Sequence, residues 1–157
     1  KNPAGRQSRP FAEQNARRRG QKPPTFKFLG FVFYGAKTLK GGYCVKLKTI
    51  STRLGRKLNE VRQWCRIHRH DPVWQQRTYL RQVMKGHYNY YGRRHNFHCL
   101  YQFSRGVQRA WKFWLGRRGQ KHRFTWERFN QLLQKYPLPK PTVTQNWQKK
   151  QMPLLVR

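Results

Sequence analysis

This chain of 157 residues has only four side-chain carboxylates. Glu13, Glu60, Asp71 and Glu127 stand far apart, with no adjacent pair. Two-metal nucleotidyl transfer needs clustered carboxylates to hold its ions. No polymerase or nuclease activity is therefore expected of this polypeptide alone, and no catalytic residue is assigned. The His and Cys residues form the second chemical set. Cys65-x-x-His68-x-His70 and His95-x-x-His98-Cys99 have ligand-like spacing. Cys65, however, falls on the apolar stripe of a helix, where a free Cys acts as a small hydrophobe, so neither a metal nor another cofactor is expected. Cys44, Cys65 and Cys99 make an odd, widely spaced set, which fits free thiols in a reducing compartment.

The abundant chemistry is cationic. Lys and Arg number 36 and the formal net charge is +32, against ~2 to 8 for an ordinary small domain. Such a chain repels itself unless a polyanion neutralises it, and nucleic acid is the expected polyanion. The clusters Arg17-Arg18-Arg19, Arg93-Arg94, Arg117-Arg118 and Lys121-His122-Arg123 have too few acids to balance them, so phosphate contact is expected. In Gly86–Gly92, His87 and Asn89 offer a flat ring and hydrogen-bonding groups, and the flanking glycines allow close backbone approach to RNA. Tyr88 and Tyr91 are expected to pack between helices. No apolar run approaches the ~20 residues of a membrane span, no signal peptide is read, and the apolar faces are needed for a core rather than for a membrane surface.

These side chains must be carried by a core, and 10 Phe, 8 Tyr and 6 Trp supply the material for one. Residues 1–24 hold seven Lys or Arg and four Pro and read as an extended basic arm. Residues 25–50 read as a β-hairpin. Phe26 to Tyr34 is one strand with Gly30 as a bulge or point of close approach, and the second strand alternates Tyr43, Val45 and Leu47 with Cys44, Lys46 and Lys48. Residues 51–136 then take helical spacing. Ser51 or Thr52 caps a helix with Leu54, Leu58, Val61 and Cys65 inward, leaving Arg53, Arg56, Lys57, Arg62 and Arg66 outside. Asp71-Pro72 opens a second helix ending at Gly86. Asn96 caps a third, with Leu100, Phe103, Val107, Ala110 and Trp114 inward and Trp111 alongside. Thr125 caps a fourth. Pro137, Pro139 and Pro141 stop it, and residues 137–157 form an extended tail. The fold class is α+β: mainly a bundle of three to four helices, preceded by a β-hairpin, with basic extensions at both ends.

Two stretches are more specific than composition: Lys22-Pro23-Pro24-Thr25-Phe26-Lys27-Phe28-Leu29-Gly30-Phe31 and Gly86-His87-Tyr88-Asn89-Tyr90-Tyr91-Gly92. Together with the Leu-to-Trp spacing of the third helix, Thr125-Trp126-Glu127-Arg128-Phe129, and the lead-in Arg9-Pro10-Phe11-Ala12 and Asn15-Ala16-Arg17-Arg18, they resemble the C-terminal thumb, or domain X, of group II intron reverse transcriptases, the maturases. The resemblance covers roughly residues 9 to 145. Pro24 and Lys27 stand where that family usually has acids, and its Tyr-x-Asp-Asp polymerase signature is absent. His95-Asn96-Phe97-His98 lacks the Cys pairs that usually accompany a His-Asn-His nuclease. What the resemblance implies is the grip on folded RNA without the polymerase.

The expected function is therefore non-catalytic binding and scaffolding of a large structured RNA. The first expectation is a stable subunit of a large ribonucleoprotein, such as an organellar ribosome. The alternatives are an intron-splicing maturase and the thumb half of a split reverse transcriptase. The expected contacts are Arg17, Arg18, Arg19, Lys46, Lys48, Arg53, Arg56, Lys57, Arg62, His87, Asn89, Arg93, Arg94, Arg117, Arg118, Lys121 and Arg123. The expected partners are rRNA or group II intron RNA and other ribonucleoprotein subunits, in a mitochondrial matrix or bacterial cytoplasm, not a secreted setting.

Overall fold

The structure is a computed structural model and describes residues 25–38, 41–119 and 124–144. The expected arm, residues 1–24, and most of the expected tail lie outside those residues. The chain divides into two compact units, one ending at Ile50 and one beginning at Ser51. The class is α+β, an antiparallel sheet followed by helices.

The first unit is a sheet of three strands in the order β1 (Phe26–Phe28), β2 (Phe31–Lys37) and β3 (Tyr43–Thr49). The apolar run expected to form one strand is instead two. Leu29 and Gly30 both take positive φ, 46° and 81°. That is the backbone of a two-residue hairpin turn whose twist matches paired strands, so Gly30 reverses the chain rather than bulging it. Phe26 then pairs with Phe33 and Phe28 with Phe31. The second hairpin pairs Phe33 with Leu47, Tyr34 with Lys46 and Val32 with Lys48. Because side chains alternate across a strand, Phe26, Phe33 and Leu47 share one face. Lys27, Tyr34, Lys46 and Lys48 share the other. Phe26 stacks on Phe33 with ring centroids 4.6 Å apart.

The second unit is helical: α1 (Ser51–Ile67), α2 (Val73–Tyr91), α3 (Phe97–Leu115) and α4 (Trp126–Lys135). Leu80, Met84, Leu100, Phe103, Val107, Trp111 and Phe129 are fully buried together. Gly106 lets α1 lie close against α3: a Cβ there would come within 2.5 Å of the Leu58 side chain. Trp111, expected beside the apolar stripe, is at the centre of the core, whereas Trp114 is half-buried. The indole Nε1 of Trp111 donates to Oε1 of the buried Gln76 at 2.8 Å. Gln76 Nε2 in turn donates to the carbonyls of His68 at 2.6 Å and Asp71 at 3.1 Å. A polar pair is thus tolerated at the core because each partner bonds the other and the turn between α1 and α2. Thr125 caps α4 as expected, accepting from the amide of Arg128.

Helix α2 does not stop at Gly86 but runs on to Tyr91. Beyond α4, residues 137–144 run along α2. Arg77 Nε donates to Pro137 O at 3.3 Å, Tyr88 Oη to Pro139 O at 3.4 Å and Thr144 Oγ1 to Tyr88 O at 3.0 Å. The amide of Thr144 donates to Gly92 O at 2.9 Å. Prolines have no N–H, so Pro137 and Pro139 serve this segment only as acceptors. A Cβ on Gly92 would overlap the Tyr88 carbonyl and Thr144. The close approach that requires this glycine is therefore made by the chain itself.

Candidate nucleic-acid interface

Helix α1 turns its apolar stripe inward, and that choice places its cations. Arg53, Arg56, Lys57 and Glu60, at spacings of three and four, share one side of the helix. Arg62, nine residues after Arg53, lies on the opposite side. On α2, Val83, Gly86, His87, Tyr90 and Tyr91 face the same space, with Gln82 at its edge. Between these two rows lies a cleft of about 500 Å³. Lys57 Nζ is 2.8 Å from Glu60 Oε2. Arg53 and Arg56 make no ion pair among the described residues.

Rings lead from the mouth of the cleft into the core. Tyr90 meets Tyr91 edge-on at 4.7 Å, Tyr91 meets His87 at 4.6 Å, and His87 stacks on Phe103 at 3.7 Å. Tyr90 is half exposed, at 50 %, and His87 only 6 %. Burial first, and the charge of Lys57 second, push the His87 imidazole down to about 4, so the ring is neutral at physiological pH. Burial also raises the Tyr91 phenol, which nearby Arg53 pulls back. His87 is thus a core side chain under the cleft and not the exposed RNA contact expected from sequence. Its position on α2 turns it toward Phe103.

A second basic–aromatic surface lies on α3 and α4. Lys112 Nζ and the Arg105 guanidinium sit 4.9 Å and 6.0 Å from the Trp126 ring. The Arg117 guanidinium lies 4.1 Å from the Phe113 ring and 5.8 Å from Trp114. Cations laid on ring faces are held in place without carboxylates, which suits a chain so short of acids. On the sheet, Lys48 approaches Tyr34 in the same way at 5.6 Å.

Arg118 has another use. Its Nε donates to Arg69 O and its terminal nitrogen to Asp71 O. Burial lowers its guanidinium, and Asp71 opposes that. The expectation of phosphate contact counted only carboxylates as partners. Backbone carbonyls at the α1–α2 turn serve instead, so Arg118 ties α3 to that turn. Among the other expected contacts, Asn89 and Arg94 are exposed and Arg93 is half-buried. Arg17, Arg18, Arg19, Lys121 and Arg123 lie outside the described residues. Gln76, Arg105 and Lys112 were not singled out from sequence. Only the helical spacing of Arg105, Arg109 and Lys112 on α3 hinted at a basic row.

The ligand-like His and Cys motifs do not converge. Burial pushes the Cys65 thiol up to about 12, as for a small apolar side chain packed in the core. His68 Nδ1 is 2.7 Å from Asp71 Oδ2. Among the described residues no group of three or more His, Cys, Asp or Glu gathers to hold an ion. No helix among them is long and apolar enough to cross a membrane. No family model, curated protein or solved structure matches this chain.

Proposed function

We propose that this chain binds and scaffolds a large, folded RNA without catalysing its chemistry, as a stable subunit of a ribonucleoprotein such as an organellar ribosome. The observation that carries the reading is the imbalance of 36 cations over four acids, with the cations of α1 and α3 set on faces turned away from the core. Such rows meet backbone phosphates, which in structured RNA are read together with shape and 2′-hydroxyls. The resemblance of Gly86–Gly92 and Thr125–Phe129 to the maturase thumb supports RNA as the polyanion and makes rRNA or group II intron RNA the proposed target. Each phosphate met releases condensed counterions. Filter binding of a structured RNA should therefore weaken steeply between low and moderate salt. No binding at moderate salt, or a flat salt response, would defeat the proposal.

The same resemblance supports a second reading as the thumb half of a split reverse transcriptase. Co-purification separates the two. A ribonucleoprotein subunit sediments with its RNA through a high-salt wash, whereas a split enzyme brings a partner chain bearing Tyr-x-Asp-Asp.

A further inference from the structure

The cleft between α1 and α2 has a size and a lining that a plain phosphate rail does not need. Its volume of about 500 Å³ falls among the ~300 to 1,000 Å³ of clefts and cavities that bind small molecules. Its walls are the Val83 side chain and the Tyr90 and Tyr91 rings, and its cations, Arg53 and Arg56, come from one helix face. Lys57 is partly neutralised by Glu60. Beneath it, His87 Nε2 is buried without a hydrogen-bond partner, the only such side-chain atom identified among the described residues. Buried polar atoms are normally satisfied, so the floor of this cleft differs from ordinary core. Flat rings beside unneutralised guanidinium groups match a base joined to its phosphate.

We propose that the α1–α2 cleft seats a single unpaired nucleotide extruded from the bound RNA, its base against Tyr90 and Tyr91 and its phosphate on Arg53 and Arg56. This rests on the RNA-binding reading and adds selectivity to it: the protein distinguishes a helix carrying a bulged nucleotide from an uninterrupted one. Bulged bases are splayed out and can be stacked on aromatic side chains, which paired bases cannot. One base–aromatic stack changes affinity by roughly five- to 150-fold.

The test uses the full chain and two RNA hairpins that differ only by one bulged nucleotide. Gly86→Leu fills the cleft. A Cβ at Gly86 meets nothing within 4 Å and its φ is not positive, and Leu favours a helix over Gly, so the fold should survive. Tyr90→Ala, at a half-exposed position, is a second route. The wild type should bind the bulged hairpin roughly ten-fold more tightly, and both variants should bring the two affinities together. Arg109→Ala, outside the cleft, should weaken both hairpins equally. Equal wild-type affinities for the two hairpins, or a preference that survives Gly86→Leu, would overturn the nucleotide seat while leaving RNA binding intact. Failure to bind either hairpin would overturn the RNA-binding reading itself. A mixture of free AMP, CMP, GMP and UMP identifies the other source of this chemistry. If it binds wild type tightly enough to compete at equal concentration with the bulged hairpin, the cleft is a free-nucleotide site and the proposal fails.

Discussion

Arg117 and Arg118 are neighbours with opposite uses. Arg117 lies on the exposed ring of Phe113, whereas Arg118 bonds two carbonyls of the α1–α2 turn. Arg117→Ala should reduce the salt slope of RNA binding by about one and leave thermal stability within ~0.5 kcal/mol. Arg118→Ala should cost about 1 to 3 kcal/mol, because it leaves part-buried carbonyls unpaired. Denaturation and filter binding on both variants separate the roles. His87 gives a pH prediction. Its folded-state value, about 4, lies below the ordinary 6.5, so the unfolded chain binds the extra proton between them. Stability is then full above pH 6.5 and falls as the pH drops toward 4, by on the order of 3 kcal/mol. Urea midpoints at pH 7 and pH 4.5 should show that loss, and His87→Phe should flatten it. The chemical types at all three positions were readable in the sequence. Their partners were not, since the carbonyls of Arg69 and Asp71 and the ring of Phe103 come from other elements.

At the scale of elements, two glycines record close approaches. Gly106 admits Leu58 between α1 and α3, and Gly92 admits Thr144 onto the end of α2. Gly92→Ala should detach the 137–144 segment from α2. The Thr144 amide, which donates to Gly92, should then lose its protection from hydrogen exchange, while Leu100 and Phe103 amides in α3 keep theirs. Retained protection at Thr144 would refute the account. The helices themselves were legible from apolar spacing, and Thr125 from its capping chemistry. The split of Phe26 to Tyr34 into two strands was not, because its turn places Leu29 at positive φ, where Asn or Gly is the usual signal. Nor was the extension of α2 past Gly86, where helix-compatible packing around Tyr88 outweighs a single glycine.

For the whole molecule, charge acts in opposite senses on the free and the bound protein. Added salt screens self-repulsion, so the free chain should melt at higher temperature as salt rises. It also weakens the RNA complex, so the stabilisation by saturating RNA should shrink over the same range. At low salt, RNA at 100 times Kd should add about 2.7 kcal/mol. Melting curves across a salt series with and without RNA check both trends; parallel curves would contradict the linkage. Composition and periodicity determined by themselves the class of the fold, the apolar faces of the helices and the excess of cations over acids, because all are local or additive properties of the chain. Only the tertiary structure decided which cations remain on the surface. Whether Arg118 meets a carbonyl, or Arg53 and Arg56 open onto a cleft above His87, depends on which helices pack together. Sequence spacing within one helix carries no record of what lies across from it.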